Sequence, residues 1–138
     1  WGEMPVYMPD EKGVVRNNDF FGGDLKGIEE KLPYLKRLGV TNLYLMPIVE
    51  SMENHGYSTA DYKKVSPLLG DWSDFENLTK KAHKMGIHII LDGVFSHTGS
   101  DSIYFNKEKR YKSLGAYQSP ESPYFTWYIF DAKLLCQN

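Results

Sequence analysis

An α/β fold with parallel strands and helical crossovers is what this 138-residue sequence predicts, as part of a (β/α)8 barrel. Three observations carry that prediction. Apolar residues recur at spacings of three and four in two stretches, the mark of one buried helix face. Each stretch runs into a short β-branched, apolar segment of the kind a doubly covered strand shows. Finally, "KRLGVTNLYLMP" and "HKMGIHIILDGV" follow one plan: a basic helix end, Leu or Met, Gly, a β-branched residue, then a strand. Their glycines, Gly39 and Gly86, stand 47 residues apart. Barrel units average roughly 30 residues, and the surplus here falls after the first strand, at the end where such barrels carry their chemistry. A doubly wound sheet is the alternative architecture. It would offer a Gly-rich phosphate turn after its first strand, and "MPIVESMEN" is no such turn.

Taken in order, residues 1–23 are rich in Pro, Gly, Asn and Asp without a period and read as an irregular lead-in. Leu25, Ile28, Leu32, Leu35 and Leu38 form the first helical stripe, with Asp24 as N-cap and Gly39 just past the end. Pro33 lies inside the stripe, so a kink or restart is expected there. Val40–Ile48 follows as a buried strand. Residues 49–70 read as a long loop. "SDFE" (Ser73–Glu76) fits a capping box, and Phe75, Leu78, Ala82 and Met85 continue a second stripe that Gly86 ends. Ile87–Phe95 is the second strand. The α/β body thus spans 24–95, and 96–138 forms a further segment.

Bulk properties narrow the function. A net charge of −2 gives no electrostatic reason for nucleic acid or an anionic membrane as partner. Nothing approaches a membrane span. One cysteine, Cys136, excludes an internal disulfide and a thiolate metal cluster. The opening residues Trp-Gly-Glu-Met-Pro are neither a signal peptide nor a usual start, so the chain is expected to be cut from something longer, and the sequence assigns neither compartment nor oligomeric state. Aromatic residues reach 14%; core packing accounts for most of them, sugar stacking being the other use.

Asp92 sits within a strand expected to be buried, and a buried carboxylate needs a partner. With the two strands as parallel neighbours, the loop "ENHGYSTADY" (Glu53–Tyr62) and the group Asp92, Ser96 and His97 converge on one rim. Each residue alone has a plain structural explanation, and an Asp and a His are too few to argue a metal. Spacing leaves the function open.

Longer strings narrow it. "FFGGDLKGIEEKLPYLKRLGVTNLYLMPIVES", "NHGYSTADY" and "GIHIILDGVFSHTG" together resemble the α-amylase family of glycoside hydrolases (family 13), over roughly Asp19 to Tyr128. "SDSIYFN", "LGAYQS" and "SPYFTWY" are most similar to its neopullulanase and amylopullulanase branch. The resemblance implies a retaining enzyme on a (β/α)8 (TIM) barrel that cleaves α-glucosidic bonds in starch, pullulan or maltooligosaccharides. It implies that Val40–Ile48 and Ile87–Phe95 are barrel strands two and three, and that Ser96 begins the domain inserted after strand three.

It also implies a substrate-binding set. Asp92 matches the aspartate that supports the sugar pocket, typically through an arginine on strand four. His97 matches the histidine that hydrogen-bonds the sugar, Tyr57 the tyrosine packed under it, and Asp61 a position that holds the loop. No cofactor is implied. Calcium is an accessory in some relatives: the Gly22 carbonyl and Asp24 match half of one site, and Ser96 replaces an asparagine that ligates another. The nucleophile and acid/base are expected on strands four and five, so no catalytic residue is assigned here and the chain alone is expected to be inactive. The tail "DAKLLCQN" departs from the family pattern. A non-catalytic relative binding carbohydrate or protein on the same scaffold, or an inert truncated gene product, are the alternatives.

Overall fold

The computed structural model describes residues 8–15 and 20–130. Residues 1–7 and 16–19 of the lead-in, Asp19 included, and the tail 131–138 with Cys136 lie outside the described residues. Within the lead-in, residues 8–15 and 20–23 contain neither helix nor strand.

Helix α1 spans Leu25–Arg37. Asp24 caps it, its Oδ1 accepting from the Gly27 N–H at 2.7 Å, which satisfies one of the orphan donors of the first turn. Lys36 and Arg37 sit in the last turn, against the negative end of the helix dipole. The helix runs through Pro33 without a restart, so of the two outcomes expected there, a kink or a restart, the restart does not occur. Pro33 lies on the exposed face, where water can take up the carbonyl that lacks its N–H partner. Gly39 then adopts φ +85°, a left-handed conformation that ends the helix and that glycine adopts without steric cost.

Helix α2 spans Trp72–Lys84. Its capping box is built from Asp71 and Asp74, two residues upstream of the predicted start. Asp71 Oδ1 accepts from the Asp74 N–H at 3.0 Å, and Asp74 Oδ2 from the Asp71 N–H at 3.2 Å. Ser73, the expected cap, instead donates its hydroxyl to Asp71 Oδ1 at 2.6 Å. That bond first, and then the Asp74 N–H, hold the Asp71 carboxyl below its ordinary value. The carboxylate outcompetes the hydroxyl because it takes both donors as a charged acceptor. Gly86, at φ +68°, ends this helix as Gly39 ends the first.

Strand β1 (Asn42–Leu45) follows α1, and strand β4 (His88–Leu91) follows α2. They pair in parallel, Leu45 opposite Leu91, as the repeat predicts. Both are shorter than expected. Neither is covered on both faces. Leu45, Ile48, Leu78, Ala82 and Ile87 are buried between sheet and helices, with Leu43 and Ile89 packed against them. On the opposite face Tyr44 is 62% exposed, Met46 54% and Ile90 46%. A two-stranded sheet with helices on one side leaves its other side bare, so an apolar sequence alone does not bury it.

Residues 49–70, expected as loop, contain an antiparallel pair: β2 (Val49–Ser51) and β3 (Thr59–Val65), with register shifts on both sides of Glu50. The bulged register and the three-residue length of β2 hide it from any search for alternation. The 96–130 segment has no strand, only turns and a short 3-10 helix at Phe125–Trp127. It docks on β3 through Gly99 N–H to Thr59 O and Ile103 N–H to Ala60 O, both 2.9 Å. It packs around Tyr104, whose ring meets Tyr124 edge-on and stacks on Trp127.

Candidate sugar-binding site

Parallel pairing brings the ends of β1 and β4 to one rim. The ladder continues one step past β4, with Asp92 N–H bonded to Leu45 O at 2.9 Å, so Asp92 leaves the sheet at a fixed position. Side chains alternate along a strand, which puts Asp92 on the bare face with Ile90 and, across the pairing, Tyr44 and Met46. Asp92 is half-buried, and its partner is Tyr57, from the loop between β2 and β3. The Tyr57 hydroxyl donates to Asp92 Oδ2 at 2.7 Å. That bond raises the Tyr57 phenol above its ordinary value, because ionising it would set two negative oxygens side by side. Tyr44 is raised for the same first cause, hydrogen bonding to Asp92. The Asp92 charge thus acts on both phenols, while the 2.7 Å bond is made by Tyr57. Tyr44 escaped the sequence reading, although parallel register alone places it diagonally across from Asp92.

His97 follows Asp92 by five residues and lines a cleft of about 700 Å³ walled by Tyr62, Phe95, Phe105, Trp127 and Tyr128. Its Nδ1 is 3.1 Å from Ser96 Oγ, and its backbone carbonyl accepts from the Tyr62 hydroxyl at 3.3 Å. Tyr62 also donates to Val94 O, and burial raises its phenol. The strand-end segment 94–97 is thus tied to β3. Tyr57 and Asp92 are not among the walls of this cleft.

Asp61 sits on β3 and accepts from Lys63 N–H at 2.9 Å and from the Tyr104 hydroxyl at 3.3 Å. Its bonds run to its own strand and to the segment after Ser96. The other carboxylates of the rim are also engaged: Glu50 pairs with Lys64 at 3.1 Å, and Glu53 with His55 at 2.8 Å.

The Gly22 and Asp24 pair does not fit a calcium ion as it stands. Asp24 Oδ1 already caps α1, which leaves one carboxylate oxygen and one carbonyl where Ca²⁺ takes six to eight oxygens. Among the described residues, no three His, Cys, Asp or Glu side chains gather to hold a metal. Ser96 Oγ is turned to His97 rather than to a cluster of oxygens.

Comparison with known proteins follows the same lines. Residues 8–135 match the family model described as alpha amylase, catalytic domain. The chain is 56% identical over 145 aligned residues to an amylopullulanase of Thermoanaerobacterium saccharolyticum, covering 96% of this chain and 11% of that protein. It is 47% identical over 103 residues to neopullulanase 2 of Thermoactinomyces vulgaris, covering 70% and 18%. Among solved structures it resembles a debranching enzyme from Nostoc punctiforme at 37% identity and TM-score 0.66, covering 80% of this chain and 21% of that one. An α-amylase from H. orenii matches at 34% identity and TM-score 0.70, covering 85% and 25%. The chain spans only about a tenth of the length of the amylopullulanases it matches. These likenesses give it the α/β fold of barrel-containing catalytic domains.

Proposed function

We propose, given that this chain belongs to the α-amylase catalytic-domain family, that it forms part of the sugar pocket of an enzyme cleaving α-glucosidic bonds with retention. The substrates are α-glucans of the starch, pullulan and maltooligosaccharide class, in keeping with the names of the amylopullulanase and neopullulanase relatives. On this reading β1 and β4 are the second and third strands of an eight-stranded barrel, and the segment from Ser96 begins an inserted domain.

The observation that carries the proposal is the 2.7 Å bond between the Tyr57 hydroxyl and Asp92 at the rim of two parallel strands. Held by Asp92, the Tyr57 ring offers a fixed apolar face, and a glucosyl ring stacks on such a face through its C–H groups. Asp92 keeps Oδ1 for a further donor, a sugar hydroxyl or a cationic side chain that fixes the sugar. With Nδ1 beside Ser96, the His97 ring keeps Nε2 for a sugar hydroxyl. Asp61 anchors the loop, clamped between Lys63 N–H and Tyr104.

Retention needs two carboxyls about 5–5.5 Å apart, one a nucleophile and one an acid/base. We assign them to later barrel strands and not to Glu50, Glu53 or Asp61, which are engaged by Lys64, by His55 and Ser58, and by Lys63 N–H and Tyr104. Two consequences follow. The purified chain releases no reducing sugar from starch or pullulan above background. In an enzyme carrying this segment, His97→Ala lowers kcat/KM on the order of 10²-fold, as loss of a hydrogen bond that tightens in the transition state does.

Titrating the chain with maltotriose while following its aromatic NMR signals tests the pocket. The Tyr57 and His97 rings should shift together and saturably, and Tyr57→Ala should abolish the His97 shift. Sugar-induced shifts confined to residues distant from both, or none at millimolar sugar, would remove the basis of the proposal.

A further inference from the structure

Tyr57 is aimed at Asp92 by something, because a tyrosine on a loop has two free torsions and no strand ladder to hold it. The loop supplies a set of bonds among Glu53, His55, Tyr57 and Ser58. Glu53 Oε2 accepts from His55 Nε2 at 2.8 Å and from the Ser58 hydroxyl at 2.5 Å. His55 Nδ1 accepts the backbone N–H of Tyr57 at 3.1 Å. The imidazole therefore carries its proton on Nε2, toward the carboxylate, and its lone pair toward the backbone, the tautomer its two partners together require. The His55 ring also lies beside the Tyr57 ring, with centroids 5.9 Å apart. Between them Gly56 turns at φ +77°, where an added Cβ would meet Pro47 O at 3.0 Å. The loop backbone is thus pressed onto the end of β1.

We infer that Glu53 and His55 are positioning residues for Tyr57, fixing its backbone and ring so that its hydroxyl rests on Asp92. The functional weight of this rests on reading Tyr57 and Asp92 as pocket residues. Plain core packing does not explain the pair: the side chains of His55 and Glu53 are 42% and 45% exposed, so little apolar surface depends on them. Nor is it a surface ion pair alone, since an ion pair has no use for the Nδ1 lone pair and its bond to Tyr57 N–H. The arrangement makes a chemical demand at position 55: an acceptor on a short arm that reaches the N–H two residues on. Asparagine meets that demand and alanine does not.

The test follows the ionisation of Tyr57 in the full chain labelled at tyrosine Cζ, its signal assigned by its loss in Tyr57→Phe. In the native chain this phenol titrates above the ordinary tyrosine value because Asp92 accepts its proton. His55→Ala and Glu53→Ala should bring it down toward about 10, while His55→Asn should keep it high. Tyr104, raised chiefly by burial in the segment after Ser96, reports whether the fold survives and should not move.

An unchanged Tyr57 titration in both alanine variants overturns the inference. So does a His55→Asn chain that behaves like His55→Ala, whether or not Tyr104 moves. Maltotriose separates this from the pocket reading. If Tyr57 titrates as described but its ring ignores the sugar, the positioning stands and the sugar assignment falls. If the sugar shifts Tyr57 equally in the native and alanine chains, the positioning falls and the pocket stands.

Discussion

Replacing Thr59 by valine should stabilise this protein. Thr59 is completely buried on β3, where the segment after Ser96 docks through its carbonyl. Its hydroxyl has no hydrogen-bond partner, alone in this among the buried side-chain polar atoms of the described residues. Thr59 is near enough to the Tyr62 phenol oxygen to lower its pKa as a donor, but the two hydroxyls do not reach hydrogen-bond geometry in the structure. A buried hydroxyl without a partner costs about 1–3 kcal/mol in lost hydration. Valine has nearly the same shape and removes that cost without opening a cavity, so a gain of about 1–2 kcal/mol is expected. At this chain length each kcal/mol moves the melting temperature by roughly 3–5 °C, giving a rise of about 3–10 °C in a circular-dichroism melt. Thr59→Ser keeps the hydroxyl and deletes the methyl, so it should lose about 1 kcal/mol. If Thr59→Val melts below the native chain, the hydroxyl has a partner, since a satisfied hydroxyl makes this exchange destabilising.

Three further outcomes follow from the same geometry. Tyr44 and Tyr57 have folded values raised by Asp92, so the stability they contribute is complete below the unfolded tyrosine value of about 10 and is lost as pH rises through the folded values; alkaline melts should show the loss, and Tyr44→Phe with Tyr57→Phe should flatten it. Asp92→Asn should abolish maltotriose binding while the melting temperature changes by only a few degrees; a large drop in melting temperature with binding retained would make Asp92 a structural strand-end residue. The bare apolar face around Tyr44, Met46 and Ile90 should drive self-association, which sedimentation should detect and Ile90→Lys should reduce; a native chain that stays monomeric at high concentration speaks against an adhesive face.

What the sequence revealed was what local chemistry encodes. Both helices, the two terminating glycines and the parallel pair follow from periodicity and repetition, because a helix face and a left-handed C-terminus need specific residue types at fixed spacing. The N-cap of α2 was misplaced because Ser73 and Asp71 are both good caps, and only the competition for the Asp74 N–H decides between them. Strands β2 and β3 were hidden because a bulged register breaks the alternation that betrays a strand. The exposed side of β1 and β4 was unreadable because apolar strand residues report what a strand is built to touch, not what is present to touch it. At the site, Tyr57, Asp92 and His97 came from motif resemblance. The contact between Tyr57 and Asp92 joins residues 35 positions apart, which no spacing rule reveals. Tyr44 and the loop network of Glu53 and His55 needed three-dimensional register and hydrogen-bond direction to become visible.

The central claim is that Tyr57, Asp92 and His97 together receive a glucosyl unit, and a structure of the chain with maltotriose bound addresses it most directly. One glucosyl ring should lie flat on the Tyr57 ring, with a hydroxyl within hydrogen-bonding distance of His97 Nε2 and the bond from Tyr57 to Asp92 intact. A sugar seated only against Trp127 and Ile129 in the cleft, with Tyr57 and Asp92 untouched, would contradict it.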